Sequence, residues 1–319
     1  MKVIDVVKYL EKSYKIILAP FERISKKIIL PGFDKVPLYD VAVFFFKGLW
    51  NGQITTRASS IAFNFFVAIF PAIIFLFTLI PYMPVENVYI TVMGLVNSSL
   101  PKETSNAVSK TIEEIVLRQH NGLLSLGFIF AFYYASNGIR GLINGFNSTY
   151  HTIETRRVLM QYLISLLLVI ILSLVILFSS SFYILGSSGL NYLVAKGILG
   201  KSFTYYLIVY GKWVFIIIAL FLGISFIYFL APARKERFRF ISAGASLATA
   251  LILLTTWGFK FYINNFSKYN ILYGSIGAFI VLLMWLYLNA IVMLIGFELN
   301  ASIMRAGRQY DSIDAEEVY

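Results

Sequence analysis

Asn137, Arg140, Asn144, Asn147 and His151 recur at steps of three and four, which places all five on one face of a helix. Amides and a guanidinium in such a row can do one of two things. They can line a hydrated cavity and hold an anionic or polar solute, or they can hydrogen-bond a neighbouring helix across a seam. Gly138, Gly141 and Gly145 run beside them, and a stripe of glycine lets a second helix come close. Asn64 and Asn289 are two further amides set in otherwise apolar stretches, each a candidate for the same cavity. Glu298 is the one acidic residue inside such a stretch and is expected to pair with Arg57, Arg140 or Arg156 at the same height. Pro71 lacks a backbone donor and is expected to kink its helix.

Covalent and metal chemistry find little support. The chain has no cysteine and two histidines, His120 and His151, too few for a histidine-built metal centre. It has no phosphate-binding glycine loop, no HExxH and no convincing Ser, His and Asp set. No catalytic residue, metal site or cofactor is therefore expected.

The elements that must position these residues follow from solubility. Of 319 residues 59% are hydrophobic and 13% charged, where soluble domains carry about 25% charged residues. The apolar residues fall in long runs at 58–82, 123–144, 158–185, 207–231, 240–263 and 275–302, each near the ~20 residues that cross a bilayer. The expected fold is all-α, a polytopic six-helix transmembrane bundle. Residues 57–302 form the membrane domain. Residues 1–56 read as amphipathic helices in the cytoplasmic interface, broken at Pro31-Gly32, with the aromatic-rich stretch from Leu38 to Asn51 too short to span. The outer loop 83–121 carries a helical pattern after Pro101. Residues 303–319 read as an acidic, mobile cytoplasmic tail.

The net charge of +11 is distributed as a topology signal and not as a nucleic-acid face. With the amino terminus inside, cytoplasmic segments hold 19 basic residues and outer loops 6, which sets both termini in the cytoplasm. On that orientation Asn137 and Arg140 lie in the inner-leaflet half and are expected to face the bundle interior, since an arginine facing hydrocarbon costs about 2.5 kcal/mol or more. The expected partners are membrane lipids, with their anionic headgroups at the cytoplasmic face. No nucleic acid is expected, and a homo-oligomer is compatible with the sequence.

Several runs resemble the YihY/BrkB family of bacterial inner-membrane proteins. They are Arg57 to Phe63 leading to Ile69-Phe70-Pro71, Ser136 to Asn147 with Glu154-Thr155-Arg156, Tyr273 to Gly277, Leu283 to Tyr287, and Gly296-Phe297-Glu298-Leu299-Asn300-Ala301. Pro232 and Gly244 fit as well, and the resemblance covers about residues 50–302. Phe297 stands where that family usually has alanine, and Asn64 where it often has tyrosine. The resemblance implies a six-span protein tied to envelope integrity, serum resistance and export of a lipid or small molecule. The family also carries an old ribonuclease BN label, which two histidines and no cysteine do not suit. Two readings follow. One is a translocator of a lipid-like or amphiphilic solute, with a cavity near the second and sixth spans. The other is a non-transporting envelope protein whose polar seams are packing.

Overall fold

The computed structural model describes residues 24–79, 121–148, 156–196, 203–233, 239–266 and 269–316. Seven helices order them: α1 (Leu38–Asn51), α2 (Ile54–Leu79), α3 (Asn121–Asn147), α4 (Val158–Ala195), α5 (Phe203–Leu230), α6 (Ala243–Phe266) and α7 (Tyr269–Glu316). No strand occurs among the described residues, whose regular structure is all helical. The expected amphipathic segment before residue 24 and the helical pattern after Pro101 lie outside the described residues.

Among the described residues five helices are long and apolar enough to cross a membrane, on α2, α4, α5, α6 and α7. α3 has 27 residues, long enough to cross, but Asn137, Arg140, Asn144 and Asn147 dilute the apolar character of its second half. The outer surface matches the five: Phe63, Leu159, Leu177, Phe178, Trp213 and Trp257 are all exposed. An apolar exterior of this extent needs a bilayer as its solvent.

Each helix from α2 to α6 packs on the next, and α7 closes back onto α2. The six form a ring, and α7 also touches α3 across it. α2 and α3 run antiparallel with the glycines of α3 as their seam. A Cβ on Gly138 would meet the Phe65 ring at 3.1 Å, one on Gly141 the Asn64 amide nitrogen at 2.9 Å, and one on Gly145 the Ile61 side chain at 2.9 Å. The stripe read from the sequence is thus the contact line of the two helices. Pro71 stands inside α2, which continues on both sides of it.

α6 and α7 approach more closely still. A Cβ on Gly244 would strike the Gly296 carbonyl, and one on Gly296 would meet the Tyr228 hydroxyl, Ala248 and the Gly244 carbonyl. The Asn300 side chain then reaches across. Its oxygen accepts the Gly244 N–H at 2.8 Å, and its nitrogen donates to the Ser242 hydroxyl at 2.9 Å. The Ser242 hydroxyl in turn accepts the Ala245 N–H at 3.2 Å. First-turn N–H groups lack an intrahelical acceptor, so α6 is capped jointly by its own serine and by a residue of α7.

α1 lies against the far end of α7. Val41, with Phe33 and Val36 from the turn before it, packs on Ile303 and Ala306. That turn holds Gly32, Asp34 and Lys35 at positive φ, and Asp34 pairs with Arg239 at 2.7 Å. Phe46 and Trp50 on the other side of α1 are exposed, Trp50 at 91%. α7 does not end near residue 302 but stays helical to Glu316, so the segment expected to be a mobile tail continues that helix. Ala301, Ser302, Ile303 and Ala306 are buried, and packing against α1 extends α7 past the apolar run.

Gly296→Val should cost about 3 kcal/mol or more in unfolding free energy, because the added side chain meets the Gly244 carbonyl, Ala248 and the Tyr228 hydroxyl at once. Gly258→Ala, with open space at its Cβ, should be neutral or slightly stabilising. Unfolding of both variants in micelles, against the parent chain, checks the pair.

Candidate functional site

Arg57, Ser60 and Asn64 of α2 and Asn137, Arg140 and Asn144 of α3 line one cleft of about 280 Å³, with Ser148 at its rim and Gly141 and Gly145 at the seam. Four of the six amide and guanidinium candidates read from the sequence meet here; Asn147 and Asn289 do not. No carboxylate is among the described lining residues. The cleft runs along the first turns of α2 and the last turns of α3.

The cleft does not look into the bundle. Ile139, Leu142, Ile143 and Phe146 form the opposite face of α3, and they are the residues buried in the main core with Ile61. The polar face therefore points out of the ring. This corrects the expectation of an inward face. The physical reason is that α3 is two-sided, and its four apolar residues satisfy the core more cheaply than amides would. Asn144 is exposed, and Asn137, Arg140 and Asn64 are half-buried.

The arginines divide by role. Arg57 Nη1 donates to the Gly145 carbonyl at 2.7 Å, one of the last carbonyls of α3. Arg156 Nη2 donates to the Ala231 carbonyl at 2.7 Å, just past the end of α5. Both place a cation at the negative end of a helix, where orphan carbonyls need donors. Asn147 assists the second joint, its side-chain oxygen accepting the Ala233 N–H at 3.2 Å. Asn147 is thus buried architecture and not part of the cleft. His151 lies outside the described residues.

Arg140 caps no helix end among the described residues. Its guanidinium carbon sits 3.9 Å from the centroid of the Tyr162 ring on α4, and Nη1 reaches the Asn137 side-chain oxygen at 3.4 Å, a weak bond. Its Nε is buried and has no hydrogen-bond partner among the described residues. Nothing in the sequence pointed to Tyr162, which comes from another helix.

Asn289 lines a separate cavity of about 460 Å³ inside the ring, on the other side of the α2–α3 seam. All six helices contribute walls, among them Ile61, Phe65, Leu142, Leu172, Ala219, Leu220, Gly223, Ile252 and Ala290. Ser179, Ser180 and Asn289 are its polar side chains. The Asn289 amide donates to the Trp285 carbonyl of its own helix at 2.8 Å, one turn back. The wall from α4 includes Ile176, which is 63% exposed, so the cavity reaches the apolar outer surface there.

Glu298 is 1% exposed and lies directly beneath α1, where a Cβ on Gly48 would strike its carboxylate. Its described ion pair is with Arg305, 3.9 Å away, and Arg57 acts on it at longer range. Of the three expected partners, Arg140 is held on Tyr162 and Arg156 at the end of α5. Arg305 is seven residues on, two turns along the same face of α7. That i, i+7 spacing was in the sequence and could have been read. Among the described residues no three His, Asp or Glu side chains lie close enough to hold a metal ion.

The profile of the family described as Virulence factor BrkB matches residues 45–317. The Bacillus subtilis protein YfkH, named as ribonuclease-like, is 31% identical over 255 residues, which is 79% of this chain and 90% of YfkH. A UPF0761 membrane protein of Vibrio campbellii is 25% identical over 313 residues, 97% of this chain and 92% of that protein. No solved structure matches the chain.

The geometry predicts the outcome of two double-mutant cycles. Glu298→Gln with Arg305→Gln should couple by about 0.5–3 kcal/mol, because the charges face each other in a buried place. Glu298→Gln with Arg140→Gln should be additive within about 0.5 kcal/mol. Thermal unfolding of the singles and doubles in nanodiscs measures both, and coupling in the second cycle would contradict the placement of Arg140.

Proposed function

Because this chain belongs to the BrkB virulence-factor family, we propose that it is a non-catalytic, six-span inner-membrane protein that moves a lipid-like or small amphiphilic solute across the bilayer in envelope maintenance. The observation that carries this reading is the apolar cavity of about 460 Å³ inside the ring. Ligand pockets run roughly 300–1,000 Å³ and are mostly apolar with a few polar groups, here Asn289 and two serines. The cavity is open on the α4 side and is not a sealed void, so a guest can enter it. Its reach to the surface past Ile176 suits a solute that arrives from the acyl-chain region.

In this reading α3 is the sixth span. At about 1.5 Å per residue its 27 residues are roughly 40 Å long, and it stands in the ring between two apolar helices. Its polar half lies near the cytoplasmic interface, with both termini on that side, as the basic residues favour. α1 lies in the same interface, with Phe46 and Trp50 toward lipid.

A second reading, a non-transporting envelope scaffold, draws on the Gly296 to Asn300 joint, which explains several polar residues by packing alone. The two part on one substitution. Ala219→Phe fills the cavity from α5 without touching the cleft or the joint. Translocation of a fluorescent phospholipid across proteoliposomes should fall at least tenfold, with thermal stability kept or raised. Unchanged translocation in the filled variant, or none above protein-free vesicles in the parent chain, would overturn the translocator.

A further inference from the structure

The cleft outside the ring is not explained by the cavity within it. It gathers two cations, three amides and two hydroxyls, with no carboxylate among its described lining residues. Arg57 also acts on the Glu298 carboxylate, so the charge left unmatched among the described residues is that of Arg140. Arg57 is engaged at the end of α3, but Arg140 is held for something else. Its guanidinium rests on Tyr162, which fixes it without neutralising it, and its one described side-chain bond is weak. A planar fork of donors held over an aromatic ring, with a buried Nε unpartnered among the described residues, is a built acceptor of tetrahedral oxyanions.

We propose that this cleft binds a phosphate group carrying net negative charge, with Arg140 as its principal ligand and the amides of Asn64, Asn137 and Asn144 as further donors. The cleft, at about 280 Å³, has room for the phosphate and part of what it is attached to. The inference goes beyond the proposed function and does not depend on it. The site itself is separate from the apolar cavity, since the α2–α3 seam divides them.

The test uses the full chain in phosphatidylcholine nanodiscs, read by thermal unfolding. Adding phosphatidic acid to the nanodisc should raise the midpoint of the parent chain. Arg140→Gln should keep the parent midpoint in pure phosphatidylcholine and bind phosphatidic acid at least tenfold more weakly. Should that variant misfold, Asn144→Leu at the exposed edge of the cleft should also weaken the shift. A second arm adds inorganic phosphate to the pure phosphatidylcholine sample. A shift there that also depends on Arg140 assigns a free phosphate, and a shift with phosphatidic acid alone assigns a lipid headgroup. An equal shift in parent and variant, or none with either probe, overturns the site. Ala219→Phe separates this result from the one above: it should abolish translocation and leave the phosphate-dependent shift intact, and a loss of that shift counts against two separate sites.

Discussion

Where Gly244 meets the Gly296 carbonyl, α6 and α7 lie in backbone contact, and neither position has room for a side chain. That contact sets what surrounds it. It brings Asn300 within reach of the first turn of α6, so a helix end inside the membrane domain gains an acceptor that water does not have to supply. It seats Tyr228 of α5 against α7, where its hydroxyl donates to the Met293 carbonyl at 2.6 Å. It also orients Phe297 onto Phe146 of α3, stacked at 4.2 Å, with Tyr228 edge-on to both rings. One residue further, Glu298 meets α1 under Gly48. Four other helices therefore take their positions from about two turns of α7.

From that joint the two cavities follow. With α6 and α7 in contact and α7 packed on α2, the ring closes around a space that its side chains leave partly empty. α3 closes the ring with one face and carries the polar row on the other. The bilayer permits this because the row sits near the end of the helix, where an arginine and several amides cost less than at the centre. Arg57 and Arg156 serve helix ends, and Asn147 and Asn300 serve connections between helices. Arg140 and the three amides beside it line the cleft instead.

The sequence exposed the helices, because hydropathy and length are what a bilayer selects. It exposed the α3 row and its glycine stripe, because a 3.6-residue period is local. It also brought Asn64, Asn137, Arg140 and Asn144 together by shared depth. What it did not expose was direction. Periodicity says which residues share a face and not where the face looks, and α3 has an apolar face as well as a polar one. Its type and its apolar setting group Asn289 with the row, yet the α2–α3 seam lies between them. The Tyr162 platform and the Asn300 cap come from contacts between helices far apart in sequence, and no single-chain pattern marks them. The helical extension of α7 to Glu316 was hidden because an acidic, polar stretch gives no hydropathy signal while α1 still packs on its start.

A density map of the full chain in lipid nanodiscs tests the central claim most directly. The account predicts an elongated, non-protein feature inside the ring, bounded by Leu172, Leu220, Ala290 and Asn289 and continuous with the outer surface past Ile176. A ring whose helices have moved in to fill that space, or one that shows only water-sized features there, would contradict it.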